Sequence, residues 1–314
     1  MCDTSPKSRG EPYSVLKSPK EPCFGYTLAT VGENLKTLTA NLSKRGPHRV
    51  MEGDLTFIGL PGKVYAPAEG NGVPGVAFAH DWRTPIKHYH ATLRHLASWG
   101  IAVAAPDTEN GVIANHRGLA NDLETALQIL AGVRLGEGKV VVHPKKLGVA
   151  GHGMGAGVAV LAAAGHDVIS GVGCVFPATT APSSTAAATN VEAPGLILAP
   201  GEDKWLDRGN PARLATNWKG DVVYREVDNA TQGSFSETPL LRRLAGISQS
   251  KTKHQETVRA ALTGFLLATV GAEKKYADFA DPEVSLAKLT NRDSDWLERQ
   301  LPENPDVSLV DRLR

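Results

Sequence analysis

The chain is poor in cysteine, has no surplus of charge of either sign and carries no long apolar run, and each shortage removes a class of protein. Three cysteines in 314 residues, Cys2, Cys23 and Cys174, are an odd number at wide spacings. That fits neither a disulfide framework nor a zinc site and suits a reducing compartment. Lysine plus arginine (34) balance aspartate plus glutamate (33) to a net charge of +1, and no basic run is interleaved with aromatics. Neither nucleic acid nor an anionic membrane surface is an expected partner. No apolar stretch reaches the roughly 18 residues that a membrane span needs. The opening residues, MCDTSPKSRGEPYSVLKSPKEPCFGY, are polar and proline-rich without the apolar centre of a signal peptide, and Cys2 stands too near the start to follow one as a lipid anchor. The expected setting is the cytoplasm. No internal repeat is visible.

What the chain does have is a core: 41% of its residues are hydrophobic, enough for one large domain with extensions. Residues 1–48 read as an N-terminal extension in which Leu35, Leu38 and Leu42 share a helical face. Residues 49–272 alternate short apolar strands with helical patterns, the mark of an α/β sheet fold. The expected strands are RVMEGDLTFIG, KVYAP, GVAFAH, IAVAAPD, KLGVAG, ISGVGCVFPA, GLILAP and VVYREVD; HYHATLRHLASWG, NHRGLANDLETALQILAGVR and TVRAALTGFLLATVG show helical spacing. Residues 273–314 are charged and broken by Pro282, Pro302 and Pro305, and read as a docked arm. The fold class expected is α/β, with a mostly parallel eight-stranded sheet flanked by helices.

The most informative stretch is LGVAGHGMGAGVAVLAAAG, from Leu147 to Gly165. It reads as a strand, a tight turn and a small-residue helix with the spacing of a nucleophile elbow, G-x-S-x-G. An elbow holds its central residue at positive φ while flanking small residues let strand and helix approach. Gly151, Gly153 and Gly155 meet the backbone demand, yet Gly153 occupies the position of the nucleophile. The residues GHGMG resemble the G-[HW]-S-M-G elbow of α/β-hydrolases of the cutinase and polyester hydrolase type, related to dienelactone hydrolases. The resemblance spans roughly Arg49 to Gly271 and implies an α/β-hydrolase fold.

It also implies roles for individual residues. APGLILAPGEDKWLD resembles the segment that carries the family's triad acid, at Asp203. EVDNATQGS resembles the segment that ends in the catalytic histidine, with Gln232 in its place. LASWG resembles the end of a family helix and, counted back, sets Trp82 in AHDWRTP where an aromatic residue's backbone N–H is one oxyanion donor; Met154 would give the other. Two of three triad positions, Gly153 and Gln232, are thereby replaced. Glycine has no oxygen to attack a carbonyl, and a glutamine amide neither takes nor returns a proton near neutral pH. The concurrent Gln232 favours natural loss over an engineered knockout.

Other candidates have plainer readings. His152 is taken as a pocket-wall residue rather than a base. His88, His90 and His95 do not share one helical face, so no metal site is assigned. Cys174 packs as a small hydrophobe, Ser234 and Ser236 are ordinary loop serines, and Trp205 lines the cleft or covers the core. The reading that follows is an inactive α/β-hydrolase homologue without a cofactor. Its pocket over Gly153, walled by Trp82, His152, Met154 and Trp205, would take a small ester, carboxylate or acyl group, or a protein partner would use the extensions. The rival reading is a carboxylic-ester hydrolase that activates water through His152 or Asp203.

Overall fold

The computed structural model describes residues 28–202, 210–237 and 249–301. Nine strands form one sheet in the order β1-β2-β4-β3-β5-β6-β7-β8-β9. They are β1 (Val50–Asp54), β2 (Gly62–Pro67), β3 (Gly70–Ala79), β4 (Ala102–Pro106), β5 (Val140–His152), β6 (Ile169–Val175), β7 (Gly195–Pro200), β8 (Val222–Val227) and β9 (Leu289–Asn291). From β4 to β8 all neighbours are parallel, while β1, β2 and β9 pair antiparallel at the two edges. The parallel strands are apolar along both faces because helices cover both. The order and the helical cover are those of the α/β-hydrolase fold.

Side-chain alternation sorts the core into two layers. Ala77, Ala79, Ala102, Ala104 and Val149 face one layer with α3 (His116–Gly132), α4 (Met154–Ala163) and α6 (Pro211–Thr216). Val76, Phe78, Val103 and Ala105 face the other, with Leu42 of α1 (Leu28–Leu42), α2 (His90–Ser98) and α7 (Gln249–Thr269). A short α5 (Ser184–Ala187) and α8 (Ser294–Arg299) are the remaining α-helices among the described residues. The helices follow from their apolar stripes: Leu119, Leu123, Ala126, Leu127 and Leu130 of α3 are buried at helical spacing, and Asn115 caps the helix by accepting the Gly118 N–H at 3.0 Å.

The structure departs from the sequence expectation in two places. The first strand ends at Asp54, whose carboxylate accepts the Thr56 N–H at 2.9 Å and caps a 3-10 turn over Leu55–Ile58. A local side-chain acceptor here competes with the ladder. Second, the sheet has nine strands rather than eight, because β9, from the charged C-terminal segment, pairs with β8 through Arg225↔Asn291 and Val227↔Leu289.

The docking of that segment rests on Arg225, which is fully buried. Its guanidinium donates to the carbonyls of Phe279 (3.0 Å), Asp281 (2.9 Å) and Val284 (3.0 Å) and to Asn291 Oδ1 (3.2 Å). Burial pushes its pKa down to about 10. Replacing Arg225 by Met should leave those carbonyls unpaired, cost about 2–4 kcal/mol and speed amide exchange selectively over residues 279–291. Hydrogen-exchange mass spectrometry with a urea titration checks this, and unchanged exchange in that segment would refute it.

His95 on α2 sets a pH dependence. It is 7% exposed and its Nε2 has no hydrogen-bond partner among the described residues. Burial, aided by the positive charge of Arg259, pulls its pKa from 6.5 to about 4. The unfolded chain therefore binds a proton in this interval that the folded chain refuses, so stability is full above about 6.5 and falls as pH drops toward about 4. The loss should be about 3 kcal/mol. Urea midpoints at several pH values should show the fall, and His95→Leu should flatten it.

Candidate functional site

The turn between β5 and α4 is made by glycines packed against backbone. A Cβ at Gly151 would overlap the Gly155 carbonyl, and one at Gly155 would overlap the Ala79 carbonyl. Strand β3, strand β5 and helix α4 meet here without side chains between them. Gly153 sits at φ 58°, ψ −120°, a pair that side-chain-bearing residues rarely adopt. It is held by its N–H on the Val175 carbonyl (3.0 Å) and by its own carbonyl, which accepts from Ala156 (3.1 Å) and Ala178 (2.9 Å).

The space above Gly153 is filled by Asp81, just beyond β3, whose carboxylate a Cβ at Gly153 would overlap. Asp81 Oδ1 accepts two backbone N–H groups, from Trp82 (2.8 Å) and from Met154 (2.8 Å), the first residue of α4. A carboxylate at a helix N-terminus gains from the free N–H groups and from the helix dipole. Among the described residues, Oδ2 takes no hydrogen bond.

Behind Asp81 runs a buried relay. The Asp81 N–H donates to the Tyr89 hydroxyl (3.1 Å), which lies 2.8 Å from His152 Nδ1; His152 Nε2 lies 3.0 Å from the Gln232 carbonyl. A carbonyl only accepts, so Nε2 carries the proton, Nδ1 holds the lone pair and the Tyr89 hydroxyl donates to it. The imidazole is neutral, and burial lowers its pKa. Burial also holds the Tyr89 phenol well above its ordinary range. Tyr89, Phe176 and Phe235 enclose the ring, leaving His152 1% exposed. Gln232 continues the relay through its side-chain amide, which donates to the Phe176 carbonyl at 2.7 Å.

On the open side of Asp81 lies a cavity of about 750 Å³, lined by Asp81, Trp82, Val112, Ile113, Met154 and Gln232 among others. Its mouth is apolar and exposed, Ile113 at 92%, Val112 at 72% and Trp82 at 49%. The Trp82 indole N–H donates to the Val112 carbonyl at 3.2 Å, joining the two sides of the mouth.

With that geometry in view, comparison with known families is decisive: residues 60–228 match the dienelactone hydrolase family. The chain belongs to the dienelactone hydrolase family. The match covers more than half of the chain and contains both Asp81 and the β5–α4 turn. Among curated proteins no relative matches.

Within this family member the structure brings Trp82, Met154 and Gln232 together around one cavity, with Gly153 beneath Asp81 at its edge. His152, expected in the pocket wall, instead stands behind Asp81 and Tyr89 and does not line the cavity. Asp203 and Trp205 lie outside the described residues. His88 Nδ1 meets the Glu237 carbonyl, His90 meets the Tyr65 hydroxyl and His95 is buried, so the three point to different surroundings. Ser234 is spent in a capping box with Thr231, the Ser236 carbonyl accepts from Gln255, and Cys174 is buried, its thiol pKa pushed up by burial. No helix among the described residues is long and apolar enough to cross a membrane.

Sequence reasoning missed Asp81 and Tyr89. Asp81 stands in the quoted AHDWRTP, one residue before the expected oxyanion donor, and an acid there beside a vacant nucleophile position was the available signal. Gly153→Ala should destabilise the fold by about 1–3 kcal/mol, through its backbone conformation and the overlap with Asp81. In an Asp81→Ala background the overlap is gone, so the same change should cost less. A double-mutant cycle by urea denaturation measures the difference, and strict additivity would contradict the overlap.

Proposed function

We propose that this chain is an inactive member of the dienelactone hydrolase family, of the cutinase- and polyester-hydrolase-like type, in which Gly153 and Gln232 stand where a serine and a histidine act. The observation that carries this reading is the Asp81 carboxylate, which fills the space above Gly153 and takes the N–H groups of both Trp82 and Met154. In a working hydrolase of this plan, two such donors stabilise the developing oxyanion. Here an oxyanion would meet a carboxylate with both donors already engaged. Nucleophile, base and oxyanion hole are then lost together, which is more than the absence of a serine alone.

The rival reading is water activated by His152 or Asp203; Asp203 lies outside the described residues, and His152 has the relay against it, since Nδ1 is occupied by Tyr89, Nε2 carries its proton toward Gln232, and the ring is 1% exposed. A general base needs a lone pair within reach of the water it deprotonates. The cleft beside Asp81 has the size and the mixed polar and apolar lining of a small-molecule site. Of the extensions, α1 is packed against α7 and β9 is paired in the sheet, so we assign the binding role to the cleft rather than to the termini.

Hydrolysis of p-nitrophenyl acetate tests the reading. The wild type should match buffer, and Gly153→Ser with Gln232→His should remain near buffer while Asp81 blocks the site. Adding Asp81→Ala should raise turnover by about 10²-fold or more, the scale of a restored general base. Wild-type turnover that falls on His152→Ala, Asp203→Ala or Asp81→Asn would overturn the proposal.

A further inference from the structure

The cleft carries an inverted charge pattern. A hydrolase of this plan presents donors to its ligand; this one presents an acceptor. Asp81 Oδ1 is saturated by the N–H groups of Trp82 and Met154, while Oδ2 takes no hydrogen bond among the described residues. Asp81 lines the cavity, together with the half-exposed Trp82 ring and the exposed Val112 and Ile113. The other titratable lining residue, His116, is tied at Nδ1 to the Ala181 main chain, 3.0 Å from its N–H and 3.2 Å from its carbonyl. The Arg83 guanidinium stands over the Trp82 ring at 5.7 Å, and it makes no ion pair with Asp81 among the described contacts. The carboxylate thus has spare acceptor capacity beside an aromatic face and an apolar mouth.

We infer that the cleft binds an organic ammonium ion on an apolar body, with its N–H groups on Asp81 and its hydrocarbon against Trp82, Val112 and Ile113. This inference rests on the inactive-homologue reading and names the ligand class for the same cleft. An ammonium supplies the donors that Oδ2 lacks, and an aromatic wall attracts a cation over its face. A carboxylate or ester carbonyl has the opposite fit at Asp81: it meets an acceptor whose two backbone donors are already engaged, and a carboxylate adds like-charge repulsion. The ester, carboxylate or acyl ligand that the family resemblance implies is therefore the class that Asp81 excludes. Cavity size agrees, since about 750 Å³ lies within the usual range for small-molecule sites.

Two probes of matched shape and opposite charge separate the possibilities: phenethylammonium and 3-phenylpropionate, titrated into the ¹⁵N-labelled full chain and followed by amide shifts of Trp82 and Met154. The wild type should show saturable shifts with the ammonium and none with the carboxylate. Asp81→Asn should weaken the ammonium at least about tenfold, the scale of a lost charge-assisted hydrogen bond. Asp81→Ala should do the same and, by freeing both N–H donors, gain saturable binding of phenylpropionate. Wild-type binding of phenylpropionate equal to or tighter than the ammonium would overturn the ligand class and leave the cleft as a binding site. Ammonium binding unchanged by Asp81→Asn would also overturn it. If neither probe moves these amides in the wild type, the inference falls, while the ester-hydrolysis comparison still decides by itself whether the family member is inactive.

Discussion

Two backbone N–H groups on one carboxylate oxygen hold this site together. Trp82 ends the approach from β3 and Met154 begins α4; each donates at 2.8 Å to Asp81 Oδ1. Backbone donors at a helix start are a fixed demand of the fold, because the first turn has no intrahelical acceptor. In a hydrolase that demand can be left to water until substrate arrives. Here a side chain meets it, so these two N–H groups form a structural clamp between strand and helix.

The clamp also explains the state of the histidine behind it. Asp81 donates its own N–H to Tyr89, Tyr89 donates to His152, and His152 donates to the Gln232 carbonyl. Tyr89 and His152 each have one donor role and one acceptor role, and the direction of the whole relay is set at the Gln232 carbonyl, which can only accept. A neutral, buried imidazole is the form compatible with that direction. The residue beside Gly153 therefore acts as a polar rivet in an aromatic layer of Tyr89, Phe176 and Phe235, and its chemistry is spent on satisfying neighbours.

Much of the fold was legible because its cause is periodic. The apolar strands that became β2 to β8 and the helices at 90–98, 116–132 and 154–163 declare themselves by burial on one or both faces. β9 did not, since three residues, LTN, carry no period; they pair because Arg225 draws carbonyls from residues 279, 281 and 284 toward β8. At the site, the glycines of the turn were legible from their spacing, while Trp82, Met154 and Gln232 were named only through the family resemblance. Asp81 was not, because its role depends on an emptiness elsewhere: it reaches the space over Gly153 only since no side chain stands there. The location of His152 was misjudged for a related reason, as sequence distance to a site says nothing of which side of the sheet end a ring faces.

If the chain is the inactive homologue proposed above, the conformation of Gly153 accounts for a scaffold that outlasts its chemistry. A nucleophile at φ 58°, ψ −120° would hold a side-chain-bearing residue in a backbone state costing about 1–3 kcal/mol. That strain is tolerated where reactivity is needed and is a burden where it is not. Glycine removes it, and the elbow does not collapse, because its geometry is imposed by Gly151 and Gly155 packing against backbone and by hydrogen bonds from Gly153 to Val175, Ala156 and Ala178. The vacated volume then becomes available to the nearest flexible polar group, and Asp81 can reach both N–H donors at once. On the proposed reading, loss of the nucleophile and occupation of the donors are one coupled event: the glycine makes room, and the carboxylate that enters stabilises the turn that made the room.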